Sequence, residues 1–403
     1  MIKAYKYRIY PTKAQAEVLL GWMEKQRWLW NFSLADRTAA WEERGERLYF
    51  YSKSHPEQSQ CRHLTKSRSL YPAFAEVPVA LQQGLLKRVD IAFQSFFRRV
   101  KKGGKPGYPR YKRFGSSPNL VWQGAGSRTW IRNGQLSLPK LEALGLGKIK
   151  MIMHRPMPEG YKMKTVALRC VAREKWYVSL GHENYAQAAA QVEPKRCIGI
   201  DMGLSSYLTT SNGQHIYKPN FYKEAERKRT KLQRQLARKK KRSKNWVKTL
   251  HKLQLAQHDV ANARAYFQQT LSREILDQYD LIAAEDLDIA EMQEQKKKMP
   301  KRVETGLHRN IADAGWGKFL WMLEYKAEEE GKTFVRVPPR GTTQECSRCG
   351  ATVHKTLRDR VHNCPYCGLV MDRDENAAKN ILARGFEQLG LCQPDVKPVE
   401  VTA

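Results

Sequence analysis

The sequence predicts a multidomain α+β chain: a β domain with an inserted helical segment, then an α/β domain interrupted by a metal-binding ribbon. Three observations predict it. Strand-like stretches at residues 2–10 and 118–182 flank a long helical region. After Arg196, apolar strands alternate with long basic helices. Two CxxC pairs lie close together near the carboxyl end. A length of 403 residues suits two or three domains of roughly 100–200 residues each.

Composition narrows the function. There are 72 Lys and Arg against 40 Asp and Glu, a formal charge of +32. So large a cationic excess favours a polyanionic partner, nucleic acid first. Hydrophobic residues make up 41% of the chain, which is a globular and not a disordered composition. No apolar run is long enough to span a membrane. The start, MIKAYKYRIYP, lacks the apolar core of a signal peptide. A cytoplasmic protein is expected, without a membrane partner. Paired cysteines in a reducing compartment read as metal ligands. Cys61, Cys170, Cys197 and Cys392 are scattered and read as ordinary thiols.

Residues 2–10 alternate in character and read as a strand, which Pro11 ends. Thr12 is a fitting N-cap for a helix from Lys13 to about Arg44, with Leu19, Leu20, Met23, Trp30 and Leu34 as apolar positions. The polar stretch Ser52–Ser69 is ambiguous. Pro78 opens a helix in which Leu81, Leu85, Val89, Ala92, Phe93 and Phe96 recur at helical spacing, as core residues do. Residues 97–114 then hold eight Lys or Arg and no acid, broken by Gly and Pro. Tyr108 and Tyr111 interleave with Arg110 and Lys112. Cations for phosphates beside flat rings for bases compose a nucleic-acid-binding loop. Asn133-Gly134 marks a type I′ hairpin between Ser127–Arg132 and Gln135–Leu138. Strands are expected at Gly147–His154, Lys164–Val171 and Lys175–Leu180, and a linker at Tyr185–Val192. Residues 223–252 carry 14 Lys or Arg against two acids, with a thin stripe of Leu232, Leu236, Leu250 and Leu253. Such like charges repel unless a polyanion screens them, so a helix pair lying along nucleic acid is expected.

Three acidic segments carry the chemistry. CIGIDMG (197–203) is a buried-strand pattern ending in an acid. Period-two alternation puts Ile198 and Ile200 on one face, and Cys197, Gly199 and Asp201 on the other. LIAAED (281–286) repeats the design, with Leu281, Ala283 and Glu285 sharing a face. In MDRDENAAKN (371–380), Asp372 followed by Glu375 fits a capping box, and Asp374 falls in the first helical turn. Ala377 and Ala378 would let this helix approach the sheet closely. Three acids on one floor repel one another unless cations are bound. Two Mg²⁺ ions roughly 3.5–4 Å apart would relieve that and clamp a scissile phosphate. Asp372 is the alternative to Asp374, and Asp286 to Glu285.

Cys346-x-x-Cys349-Gly and Cys364-x-x-Cys367-Gly form two knuckles separated by 14 residues. Four thiolates complete a closed tetrahedral Zn²⁺ site, which is structural rather than catalytic. His354 and His362 are weaker candidate ligands.

GIDMG, AAEDL, DAGWG (313–317), TTQECSRCG, CPYCG and DRDENAAKN occur in this order. Together with GYPRYK and PVALQQGLLKRVDIAFQSFFRR, they resemble the TnpB family, RNA-guided endonucleases encoded by insertion-sequence transposons. The likeness covers roughly residues 1–388. It implies a wedge-like, β-barrel-like domain (1–12 and 108–190) holding a helical recognition domain (13–107). A RuvC-type, RNase H-like nuclease domain (191–340 and 371–390) follows, interrupted by a zinc ribbon (341–370), with a tail at 391–403. It implies a guide RNA from the transposon end and target double-stranded DNA beside a short motif, with base pairing reading sequence and protein reading shape and motif. Asp201, Glu285 and Asp374 match the family's catalytic triad, and Cys346, Cys349, Cys364 and Cys367 its zinc ligands. Tyr51 and the helix from Pro78 fall where the family meets its adjacent motif. There Gln82 and Gln83 could read adenine edges, or be exposed helix glutamines. Arg110, Tyr111, Lys112 and Arg113 suit backbone contacts, as do Arg238, Lys239 and Lys240 in the basic helix pair. Two other functions compete: a DNA strand transferase acting without a guide, and a nuclease-derived RNA-guided repressor, which should have lost its acids.

Overall fold

A computed structural model describes residues 2–104, 107–113, 119–123, 130–157, 162–183, 189–293, 301–356 and 359–391. The chain divides into two compact units, residues 1–186 and 187–403. The expectations for Ser127–Thr129, Tyr185–Ala188, Cys392 and most of the tail lie outside the described residues.

In the first unit, β1 (Ile2–Tyr10) is followed by α1 (Lys13–Arg44), α2 (Gln60–Leu70), α3 (Pro72–Ala75) and α4 (Val79–Lys101). Thr12 caps α1 in a full capping box: its Oγ1 accepts from the Gln15 backbone, and Gln15 Oε1 accepts from the Thr12 backbone. The ambiguous Ser52–Ser69 stretch resolves into a short 3₁₀ turn and α2. Then come β2 (Leu120–Gln123), β3 (Ile131–Arg132), β4 (Gln135–Leu136), α5 (Pro139–Ala143), β5 (Ile149–Ile152), β6 (Lys162–Val171) and β7 (Lys175–Glu183). Asn133 and Gly134 both have positive φ, as a type I′ turn requires. The helix α5 was not expected.

The seven strands form one sheet in the order β2-β6-β7-β1-β5-β4-β3. β1 is central, antiparallel to β7 (Tyr7 opposite Val178) and to β5 (Ile9 opposite Met151). The four helices α1–α4 thus leave the chain between a central strand and an edge strand. No pair between β2 and β3 closes the sheet into a barrel among the described residues. Alternation puts Tyr7 and Ile9 into a core with Trp22, Trp122, Trp130 and Trp176.

In the second unit, β8 (Cys197–Met202), β9 (Leu208–Thr210) and β10 (His215–Ile216) form an antiparallel meander. The basic helices α6 (Asn220–Ala237) and α7 (Lys244–Gln278) follow as a hairpin. Next are β11 (Leu281–Glu285), α8 (Ile289–Met292), α9 (Lys301–Ala314), α10 (Trp316–Glu330) and β12 (Thr333–Val337). Strands β13 (Val361–Asn363) and β14 (Val370–Asp372) make a small ribbon, and α11 (Arg373–Leu389) ends the fold. The sheet order is β10-β9-β8-β11-β12, with β8, β11 and β12 parallel.

Each face of this sheet has its own core. Ile198, Ile200, Ile282 and Ala284 pack against Leu271, Ile275, Phe319 and Leu323 of α7 and α10. Leu281, Ala283, Val335 and Val337 pack against Ile381, Leu382 and Phe386 of α11. The expected alternation is therefore present in both acid-tipped strands. Small residues set the seating of α11: a Cβ on Gly199 would stand 2.1 Å from the Ala378 carbonyl oxygen. Residues at the start of this unit pack as well, since the Val192 backbone donates to Gly331 O at 2.8 Å.

Candidate active site and metal centre

Parallel β8 and β11 bring two acids to the same end of the sheet. Asp201 lies near the end of β8, one residue beyond the last β8–β11 partner pair, Ile200 with Ala284. Glu285 ends β11. The first turn of α11 supplies Asp374. Burial, then the charges of Glu285 and Asp374, push Asp201 well above the usual carboxylate range, and Arg373 pulls part of that back. Burial also raises Glu285, against a hydrogen bond from Thr342 and the charge of Arg384. Crowded, buried carboxylates of this kind are stabilised by divalent cations, and their oxygen donors are the hard ligands that Mg²⁺ prefers.

The local geometry separates the alternatives. Asp372 is the N-cap of α11: its Oδ1 accepts from the backbone of Asp374 at 2.8 Å and of Glu375 at 3.1 Å. That capping aims α11 and engages Asp372 through Oδ1, while the charge of Asp372 also adds to the upward push on Asp201. The expected reciprocal bond from Glu375 is replaced by an ion pair with Lys379. Asp286 is 67% exposed on its side chain and faces Arg336, whereas Glu285 is 8% exposed.

Residues that the sequence reading did not single out hold these acids and the helix that carries one of them. Thr342 Oγ1 donates to Glu285 Oε1 at 2.6 Å. Arg373 forks onto Asp374 Oδ1 through Nε at 3.0 Å and Nη2 at 2.8 Å, and its Nη1 donates to Asp359 O at 3.2 Å. Asn376 and Asn380 donate to Glu345 O at 2.7 and 2.8 Å, and Ser347 N donates back to Asn376 Oδ1. Helix α11 is thereby tied to the first cysteine knuckle. A signal for the asparagines was present, since they sit in DENAAKN at i and i+4, one helical face.

The four cysteines converge. Their sulfur atoms all lie within 4.8 Å of one another, with Cys346 to Cys367 and Cys349 to Cys364 each at 3.6 Å. A tetrahedral zinc–thiolate site, with Zn–S near 2.3 Å, needs sulfurs about 3.8 Å apart, so the donor set fits that ion. Each knuckle closes by Gly350 N to Cys346 O and Gly368 N to Cys364 O, and both glycines have positive φ. Lys355 contacts His362 Nδ1, and His362 is not part of the cluster. No other trio of metal-ligating side chains is so tight among the described residues, the three acids included.

The proposed nucleic-acid contacts divide. Gln82 is fully buried; its Oε1 accepts from Arg68, and its Nε2 donates to Phe74 O at 3.1 Å. It is a brace inside the helical segment and not a reader of base edges, because its amide is already spent. Gln83 is exposed beside it, and Tyr51 is exposed. Arg110, Tyr111 and Arg113 are exposed, but Lys112 stacks on Trp30 with Nζ 4.2 Å from the ring centroid. Burial, and Arg88 nearby, lower the Lys112 ammonium below its ordinary value. The Lys112 backbone exchanges two hydrogen bonds with the Asn31 amide, at 2.7 and 3.0 Å, pinning the basic loop onto α1. Arg238, Lys239 and Lys240 stand exposed at the turn between α6 and α7. Beside them a groove of about 900 Å³ runs between α6 and α9, lined by Lys223, Arg227, Lys231 and Arg234. No helix among the described residues is long and apolar enough to cross a membrane.

A family model described as "Probable transposase" matches residues 177–296, and its companion "Helix-turn-helix domain" matches 1–46, which here form a strand and one helix. A model described as "Cas12f1-like, TNB domain" matches 316–381. A Streptomyces pristinaespiralis protein named "Putative RNA-guided DNA endonuclease" is 31% identical over 98% of this chain and 92% of its own length. The Escherichia coli (strain K12) protein "Putative RNA-guided DNA endonuclease InsQ" is 28% identical over 96% of this chain and 93% of its own. Among solved structures, the Cas12f1–sgRNA–target DNA complex contains a chain of similar fold. It has a TM-score of 0.54 at 15% identity, over 92% of this chain and 83% of that one. Near-full-length likeness above 30%, with family models matching residues 1–46, 177–296 and 316–381, establishes that this chain belongs to the TnpB family.

Proposed function

We infer that the chain is a transposon-associated, RNA-guided DNA endonuclease that hydrolyses phosphodiesters in a RuvC-type site. The observation that carries this reading is the placement of Asp201 and Glu285 at the same end of two adjacent parallel strands, with Asp374 in the first turn of the helix packed on them, in a chain of charge +32. The names of the near-full-length relatives and the Cas12f1-like fold support the RNA-guided class. The strand order, three antiparallel strands and then two parallel ones, supports an RNase H-like core.

Asp201, Glu285 and Asp374 would hold two Mg²⁺ ions, which supply an activated water and stabilise the leaving oxygen. The protein's share is positional. β8 and β11 fix two carboxylates at adjacent strand ends, and Asp372 orients the helix that delivers the third. Thr342 holds Glu285 in one rotamer. Cys346, Cys349, Cys364 and Cys367 would hold one Zn²⁺, which keeps the ribbon folded beside Asp374. Exposed cations on the basic loop and on α6–α7 would track phosphates of the guide RNA and target DNA without reading sequence.

The test is cleavage by protein expressed with the transposon-end RNA. Incubate the complex with Mg²⁺ and a plasmid library carrying a guide-matched target beside randomised flanking bases, then sequence the ends. Cuts that need the guide and one flanking motif, and vanish with EDTA, are expected. Guide-independent joining at transposon ends would instead establish a strand transferase. Motif-dependent binding without cuts would establish a repressor.

A further inference from the structure

A cavity of about 510 Å³ opens in the helical part of the first unit, between α1, α2 and α3. Its walls include Trp28, Phe32, Tyr71 and Phe74. Three of these rings are open to solvent: Trp28 is 62% exposed, Phe32 49% and Tyr71 59%. Large rings left uncovered around a concave site are costly in water and mark a place where something flat docks.

The cavity has a polar floor. Asp36 lies there beside His63. Gln60 Nε2 donates to Asp36 Oδ2 at 3.1 Å, and His63 Nδ1 lies 3.4 Å from the same oxygen. Gln60 is held in turn, since its Oε1 accepts from Arg37 Nε at 2.9 Å. Both Asp36 contacts use Oδ2, so Oδ1 accepts nothing among the described residues. The floor therefore offers a rigid carboxylate with one free acceptor oxygen and one shared one. That pattern asks for a flat ligand with adjacent N–H donors on its edge. Arg62 and Lys66 stand exposed on the same helix, α2, and keep the neighbourhood of the cavity cationic.

We propose that this cavity binds an unstacked nucleobase of a single strand, with guanine preferred. Its N1–H and N2–H donate to Asp36, and its ring stacks among Trp28, Phe32 and Tyr71. Single-stranded bases are commonly read this way, by aromatic stacking plus hydrogen bonds to the Watson–Crick edge. The identity of the ligand as nucleic acid rests on the function proposed above. The cavity itself does not involve the three acids or the zinc ribbon.

The test uses the full-length protein and fluorescently labelled five-nucleotide strands, UUGUU and UUUUU, as RNA and as DNA, in moderate salt. UUGUU should bind about tenfold more tightly than UUUUU, the discrimination of one bidentate base contact. Asp36→Asn, which keeps an acceptor for Gln60 but replaces one oxygen with a donor, should erase the preference and leave UUUUU affinity unchanged. Trp28→Ala removes an exposed ring and no core. It should weaken UUGUU binding about tenfold. Equal response to RNA and DNA would place recognition in the base alone, and a preference for RNA would assign the site to the guide; both support the proposal. Equal wild-type affinity for UUGUU and UUUUU would overturn it while leaving the nuclease reading intact. So would an unchanged preference in Asp36→Asn. No binding of any strand would overturn the proposal and leave the nuclease reading to the plasmid-cleavage assay. A concentration-dependent dimer that Trp28→Ala dissociates would show the rings to be a self-association surface, and the proposal would fall.

Discussion

Gly199→Ala tests whether the third acid depends on how closely α11 seats on the sheet. The new methyl would stand 2.1 Å from Ala378 O and 2.9 Å from the backbone nitrogen of Leu382. Ordinary contact begins at 3.4 Å, so one element must retreat by about 1.3 Å. β8 is paired on both sides, to β9 and β11, and cannot give. The helix must move, and it carries Ile381, Leu382 and Phe386 in the core as well as Asp374. Overpacking costs about 1–3 kcal/mol, and a clash with backbone belongs at the top of that range. About 3 kcal/mol in a unit of this size lowers its melting temperature by roughly 6–12 °C. An ångström of misplacement at Asp374 should cost about 10²-fold in cleavage rate. The assay is guide-directed plasmid cleavage well below the melting temperature, beside a thermal melt. Gly385→Ala is the comparison: its Cβ meets only side-chain carbons, Ala283 Cβ at 2.8 Å and Val335 Cγ1 at 3.1 Å, so its loss should be smaller. A Gly199→Ala protein that melts within 2 °C of wild type (~2 °C being below one kcal/mol) and cuts at the wild-type rate would refute the reasoning.

Asp201→Ala should abolish cleavage while leaving guide RNA and target DNA binding intact in a gel-shift assay; lost binding would mean that Asp201 serves folding. Thr342→Val removes the donor to Glu285 and should slow cleavage about tenfold and raise the Mg²⁺ concentration for half-maximal rate, both read from a metal titration. Cys364→Ser should lose the zinc found by elemental analysis and expose the 341–370 ribbon to protease, with cleavage falling in parallel. Asp280 is held below the usual carboxylate range by its hydrogen bonds from Arg196, against the opposing effect of burial. Its stabilising effect is therefore complete above about pH 4, the unfolded value, and is lost as pH falls through the lower folded value. Urea melts should show Asp280→Asn costing about 1–2 kcal/mol at pH 7 and much less near pH 3. Equal cost at both pH values would count against the pair.

The chemistry was readable from the sequence because it is local. Strand alternation fixes which side of β8 carries Asp201, and CxxC-Gly spacing fixes a knuckle; neither needs tertiary knowledge. Which of Asp372 and Asp374 caps α11 was not readable, because both fit a helix start and only the backbone shows that Asp372 does. Gln82 misled for the same reason, and the seating of Lys112 on Trp30 was equally hidden. A polar side chain on an amphipathic helix or in a basic loop looks solvent-facing until its partner, Arg68 or Trp30, arrives from elsewhere in the chain. The small helix α5 was missed because a five-residue helix carries no periodicity to detect. Thr342 and Arg373 sit in segments whose cysteines and acids dominate the pattern, and their role exists only through neighbours brought in by folding.

The central place of β1 in its sheet also shapes how the protein is made. Tyr7 and Val178 are partners 171 positions apart. At roughly 5–20 residues per second, the ribosome exposes β1 about 10–35 s before β7 exists to pair with it. Until β5 and then β7 follow, β1 is an orphan edge, able to join any other nascent strand. Its inward residues Tyr5, Tyr7 and Ile9 are interleaved with Lys6 and Arg8, charges that resist such pairing. The alternation that aims the core side of β1 thus also protects it while it waits, and an inserted helical segment is tolerated at the cost of slow, late closure of the sheet.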